Sequence, residues 1–265
     1  MLTRPLLLLL ALSFTPAAHA GAWLQPEGQG LFIANATYYR SDRFFDSAGH
    51  KQPQPRFAKY EFQPYGEYGV TRWLTLGGSA YLQHVTQSGR ANDGLADPEF
   101  FARTTLWQRG SERLAVQPLV KFAGGFRRAG TPRGGSRSTD AELSLLYGRN
   151  LDLLSRRDYL DSRVGYRVRS QGRSPEWRGD VALGLGIRDT VQIIPALRAV
   201  VASAPDKTPD FSENGDLDSS VLKMELAGIY HLEPHQWVQA SLFRHVIGFQ
   251  TGDGYGLSLA FAQRF

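Results

Sequence analysis

The sequence predicts an all-β protein: a closed antiparallel transmembrane β-barrel of about 12 strands over residues 21–265, preceded by a cleaved signal peptide at residues 1–20. Three observations predict it: a secretory leader, polar–apolar alternation of period two along the rest of the chain, and connections that alternate long and short.

The leader comes first in the chain. Arg4 gives a positive start, Leu6 to Leu12 with Phe14 form an apolar stretch, and Ala18-His19-Ala20 is a small-x-small cleavage site, so the mature chain is expected to begin at Gly21. Pro5 to Ala20 falls short of the roughly 20 apolar residues that a membrane-spanning helix needs. No later stretch is long and apolar enough for one either. A slightly negative mean hydropathy fits a barrel, because its strands alternate lipid-facing and lumen-facing residues. Cysteine is absent, which rules out a disulfide scaffold and thiolate chemistry. The net charge is +5; in an exported chain this suits lipopolysaccharide phosphates or an acidic solute, with no nucleic-acid partner expected.

About 12 segments have the roughly 10-residue alternating pattern of a tilted barrel strand. In the last, Tyr255, Leu257, Leu259 and Phe261 share one face and Gly256, Ser258, Ala260, Ala262 and Arg264 the other. Leu222, Met224, Leu226, Gly228 and Tyr230 oppose Lys223, Glu225 and His231 in the same way, and Val181, Leu183, Leu185 and Ile187 oppose Asp180, Gly184, Gly186 and Arg188. Leu160, Val164, Tyr166 and Val168 stand against Asp161, Arg163, Arg167 and Arg169, and Leu114, Val116, Val120 and Phe122 against Gln117 and Lys121.

The connections follow the rhythm of an outer-membrane barrel that begins and ends on the periplasmic side. Long outer loops are expected at Ser41 to Arg56, Gln87 to Leu95, Gly125 to Arg137 and Ala202 to Asp216, with shorter ones at Ser170 to Ser174 and Gln250 to Asp253. Tight turns are expected at Val70 to Arg72, Arg109-Gly110, Asn150 to Arg157, Arg188-Asp189 and Glu233 to His235. Trp73, Trp107 and Trp237 beside the turns, and Trp177 beside a loop, fit interfacial girdles. Pro64, Pro118 and Pro195 fall inside these strands and are expected at strand ends or bulges, since each removes a ladder donor. Arg244 falls on the apolar face set by Val238, Ala240 and Leu242, which calls for a bulge or a different register.

Phe265 ends the chain with Phe261, Leu259, Leu257 and Tyr255 upstream by twos, and resembles the C-terminal strand read by the outer-membrane barrel assembly machinery; Gln263 departs from that pattern. Gly21 to Pro26, Glu67 to Gly77 and Gly94-Leu95-Ala96-Asp97-Pro98-Glu99 resemble the XagA-like outer-membrane proteins and the broader porin-like family named for the MetA pathway of phenol degradation. That resemblance implies a barrel with a transport role, in the XagA-like case associated with exopolysaccharide production, and carries over no functional residue.

Function is therefore sought in the lumen. The solute-contacting candidates are Arg163, Arg167, Arg169, Arg198, Lys121, Lys223 and Glu225, with Phe265 and Phe261 as the insertion signal. The two signs nearly balance, so lumen salt bridges stand beside contact with a small or polymeric anionic solute. Arg127, Arg128, Arg133 and Arg137 form a basic, glycine-rich outer loop, expected first as a solvated mobile loop, with contact to lipopolysaccharide phosphates as the alternative. Asp210 to Asp218 imitates the front of a calcium loop, but Val221 stands where the bidentate glutamate belongs, so no metal or cofactor is expected. No nucleophile elbow or HExxH pair occurs, and of the histidines His84, His231 and His245 only His84, near Ser88, is worth testing as a catalytic group. The expected function is a narrow porin, or an accessory in transport or exopolysaccharide export, in the bacterial outer membrane; the alternatives are a lipid- or lipopolysaccharide-modifying enzyme and a plugged structural barrel.

Overall fold

The computed structural model describes residues 21–125, 132, 135, 136, 138–203 and 218–265. Among these the strands are β1 (Gly30–Phe45), β2 (Lys51–Thr71), β3 (Leu74–Gln87), β4 (Arg90–Arg109), β5 (Glu112–Lys121) and β6 (Asp140–Asn150), then β7 (Tyr159–Arg169), β8 (Glu176–Arg188), β9 (Val191–Ala202), β10 (Ser220–Glu233), β11 (Gln236–Phe249) and β12 (Thr251–Arg264). Each pairs antiparallel with the next, and β1 with β12 closes the barrel, so no sheet edge is left for hydrocarbon to meet. The leader, the four loop arginines and residues 210–217 of the calcium-like stretch lie outside the described residues.

The period-two pattern sets the two faces. Leu242 and Phe261 are 66% and 37% exposed on the outer wall, while their chain neighbours Ser241 and Ala262 are 4% and 1% exposed on the inner one. The same division holds in β5, β7, β8 and β10 with the phases read from the sequence. Trp73, Trp107 and Trp177 are exposed on the outer wall near the strand ends, as girdle residues are. Trp237 is not. It is buried on the inner face with Leu31, Ile194, Ala227, Ile229 and Ala262, because it directly precedes the lipid-facing Val238 and so takes the opposite side.

Three expected loops are wholly or largely strand; at Gln250 to Asp253, β12 begins at Thr251 and leaves Gln250 alone between the strands. β1 and β2 run past Ser41 and Arg56 to leave only residues 46–50 as a connection, and β3 and β4 are joined by Ser88-Gly89 alone. Positive φ at both Ser88 (52°) and Gly89 (76°) is the signature of a type I′ hairpin, whose twist matches that of the strands. The three prolines mark neither ends nor bulges. Pro64, Pro118 and Pro195 stay in register with Ala34, Leu143 and Leu226 on one side, and the ladder to β3, β4 or β8 is interrupted beside them on the other. In an antiparallel strand a residue's donor and acceptor point to the same neighbour, so a proline's missing donor weakens one ladder only.

Arg244 keeps its outward place. The bulge lies two residues later: Leu222 opposes Ile247 while Lys223 opposes His245, leaving Val246 unpaired. The Arg244 guanidinium lies 3.8 Å from Asp253, the acid that also binds Lys51.

Candidate functional site

Cross-strand register builds the lumen wall. Glu142 is opposite Arg167, Asp180 is opposite Arg163, and Arg198 follows opposite Asp180, so opposite charges face each other on successive strands. The result is a chain of ion pairs. Arg167 lies 2.8 Å from both Glu99 and Glu142, Arg163 2.5 Å from Asp180, Arg198 3.0 Å from Glu225 and 3.6 Å from Asp180, and Lys223 3.2 Å from Glu225. Arg178 joins Glu142 to Glu176. Nearer the outer rim, Lys121 lies 2.5 Å from Asp140 and 3.5 Å from Asp97, and Arg169 is paired with Asp218 and Glu176.

All seven lumen candidates read from the sequence therefore lie inside the barrel, and all are ion-paired. They do not all meet one cavity. A space of about 1100 Å³ runs from rim residues such as Phe44, Gln54 and Thr251 down to Asp161, and is lined by Arg163, Arg167, Arg198, Lys223 and Glu225; Lys121 and Arg169 lie outside it. Sequence reading passed over Arg178 as a lumen cation, although it falls two residues before Asp180 on the same inward face. The arc opposite the charges is neutral. Asn35, Thr37, Gln239 and the hydrogen-bonded pair Ser241–Ser258 line it, with Tyr39, Phe57, Phe243 and His245 packed together nearer the rim.

The larger omission is the segment before β1, whose residues carry no strand pattern and so gave no signal. Gly21 to Pro26 crosses the inside of the barrel. Ala22 is fully buried against Ala115 and Leu146, and the Trp23 ring lies over Gly148 and meets Tyr159 edge-on at 6.1 Å. A Cβ at Gly148 would lie 2.6 Å from the indole, so only glycine admits the ring there. On the far side Arg103 donates to the Trp23 carbonyl at 3.0 Å, the Gln25 amide donates to Thr75 Oγ1 at 2.9 Å, and the Gln25 side chain donates to Glu67 at 2.8 Å. Glu67 and Arg103 form a buried ion pair at 2.9 Å beneath it. The segment spans from β6 and β7 to β2, β3 and β4 across the inside of the barrel.

On the outer wall His84 Nδ1 lies 2.5 Å from Asp93, with the Tyr60 ring 6.2 Å away. Ser88 lies in the hairpin turn, and no hydrogen bond joins it to His84 among the described residues. Phe265 pairs its backbone with Gly30 at the end of the closing strands. Among the described residues no group of three or more His, Cys, Asp or Glu is arranged to hold a metal ion.

Several solved structures resemble this one. An outer membrane channel from Pseudomonas putida F1 superposes with a TM-score of 0.76 at 12% identity, covering 94% of this chain and 99% of that one. The fold is that of an outer-membrane β-barrel. The NanC porin matches with a TM-score of 0.55 at 10% identity over 88% of this chain and 98% of its own. The translocator domain of the autotransporter NalP from Neisseria meningitidis matches with a TM-score of 0.50 at 10% identity over 91% of each chain. No family model and no curated protein sequence matches the chain.

Proposed function

We propose that this protein is a gated outer-membrane channel of the XagA-like, porin-like kind that favours small anionic solutes, with its N-terminal segment as the gate. One observation carries the selectivity. Around the cavity the cation is more exposed than its acid in most pairs: 25% for Arg163 against 0% for Glu142, 45% and 25% for Arg198 and Lys223 against 10% for Glu225, and 28% for Lys59 against 13% for Glu61; Arg167, at 3% against 18% for Glu99, is the exception. The charges nearly balance, six basic to five acidic residues along the cavity, yet at most of these pairs a solute meets guanidinium or ammonium groups with carboxylates behind them. Two of the three segments that carry the family resemblance, Gly21 to Pro26 and Glu67 to Gly77, are the gate and its anchorage. Lipopolysaccharide and the bilayer are the partners of the outer wall, and the barrel assembly machinery reads the strand ending in Phe265.

Planar-bilayer recording tests this. The full mature protein is expected to conduct rarely, and a form whose mature chain begins at Glu27 steadily. Under a tenfold KCl gradient the reversal potential of the truncated form should show chloride preferred, and Arg163→Gln with Arg198→Gln should remove most of that preference. A truncated form that stays closed, or one that prefers potassium, refutes the proposal.

A further inference from the structure

Among the described residues, Asp161 is the one acid beside the cavity floor that no cation claims. The guanidinium groups of Arg103, Arg163 and Arg198 act on it electrostatically, but none lies within ion-pair distance. Each is bound elsewhere: Arg103 to Glu67, Arg163 to Asp180, Arg198 to Glu225 and Asp180. Asp180 is a like charge and adds repulsion. A lone carboxylate inside a barrel is costly unless a cation or a set of donors meets it. What touches it is Gly21. A methyl group on Gly21 would lie 2.6 Å from Asp161 Cγ, so the backbone at that residue is packed against the carboxylate.

We propose that Asp161 is a binding site for a primary ammonium group, and that its occupant is the α-amino group of the protein's own mature N-terminus. Cleavage after Ala20 leaves that amine on Gly21, within about 5 Å of the carboxylate by covalent geometry alone. The amine is protonated at neutral pH in its ordinary state, so the pair joins opposite charges across the gate. Before cleavage the same nitrogen is an uncharged amide. Signal-peptide removal therefore does more than release the chain: it creates the charge that latches the N-terminal segment in the lumen. Gly21 is required at this place, since any larger residue would push the amine off the acid. The proposal rests on the gating role argued above and on cleavage at residue 20.

The test uses the mature protein isolated from outer membranes, its N-terminus read by mass spectrometry. Two variants break the latch: Asp161→Asn, and a chain with one glycine inserted after Ala20, which displaces the amine without altering the barrel wall. Acylation of the α-amine at pH 7, mapped by mass spectrometry, is expected to be at least tenfold faster in both variants than in the wild type. Bilayer open probability should rise at least tenfold, while Asp161→Glu should stay close to wild type in both readouts. A mature chain that starts elsewhere, or equal acylation in wild type and variants, overturns the latch. Truncation to Glu27 separates the two claims. If it opens the pore while the latch variants leave it shut, the gate stands and the latch falls; if the variants expose the amine but truncation does not raise conductance, the latch stands and the gating role falls.

Discussion

Replacing Arg103 with methionine tests whether the inner end of the lumen is held as a buried polar network. Arg103 is 1% exposed, and its guanidinium donates to Gln117 at 2.9 Å, to the Trp23 carbonyl at 3.0 Å and to Glu67 at 2.9 Å. Glu67 keeps hydrogen bonds from Gln25 and Tyr65 but has no other cation within ion-pair distance. Methionine fills a similar volume and leaves that carboxylate buried and unpaired, which costs about 3–5 kcal/mol. The lost bond to Trp23 is a charge-assisted one of about 1.5–3 kcal/mol, but it belongs to the same network and will not add in full. Arg103→Met is therefore expected to destabilise the barrel by about 3–5 kcal/mol in guanidinium titrations followed by tryptophan fluorescence. Adding Glu67→Gln removes the orphaned charge while keeping an oxygen for Gln25, so the double variant should recover at least half of the loss. A single variant costing less than about 1 kcal/mol, or a double variant worse than the single, would refute the reasoning.

Two further outcomes are expected. The Asp158 carboxyl sits in the inner connection between β6 and β7; burial opposes its charge, but the amides of Gly186, Leu154 and Ser155 and the Ser155 hydroxyl outweigh this and hold it at about 2, below its ordinary 3.8. A depressed carboxyl stabilises above its unfolded value, so Asp158→Asn should cost about 2 kcal/mol at neutral pH. That difference should fade as pH falls from about 4 to about 2; a difference that persists at pH 2 contradicts the assignment. On the outer wall, Leu259→Arg is expected to cost about 2–4 kcal/mol in a bilayer and Ser258→Arg, one residue away in the lumen, clearly less; equal costs would mean the faces are misassigned.

The fold was legible because a membrane barrel writes its rule into every strand: Leu257 and Leu259 must meet lipid, and Ser258 between them must not. The turn count followed from the same rhythm. What escaped has a physical cause in each case. Ser88-Gly89 makes a two-residue hairpin, but a polar run around it looks the same as a longer loop by composition. Trp237 was placed by its nearness to a turn, although parity with Val238 puts it inside. The prolines were expected at strand ends or bulges because each lacks a ladder donor, but in an antiparallel strand that loss falls on one ladder only. In the lumen the seven named charges face inward as expected, but Arg178 was missed, and the partners of all of them depend on which strands lie opposite. Glu99 reaches Arg167 across three strands, a contact that no local pattern encodes. Gly21 to Pro26 has neither helical nor strand period, and its role comes only from where the closed barrel leaves room.

That room explains why the segment is there. A barrel of eight strands is filled by its own side chains, and one of sixteen or more encloses a water-filled channel. With twelve, the bore is too wide for inward side chains to meet and too narrow to leave every charge fully hydrated. The chain resolves this differently at its two ends. Towards the outer side, where water enters, arginines and acids pair along the wall and leave a cavity of about 1100 Å³ between them. Towards the inner side an added piece of backbone fills the gap, and its amide and carbonyl groups find Thr75 and Arg103, which the wall supplies for it. A packing built from one short segment held by a few hydrogen bonds is the part of the molecule with the least to lose on moving, since no strand ladder need break. The proposed gating therefore breaks no strand ladder, and its free energy is confined to the contacts of residues 21–26 and the acid at position 161.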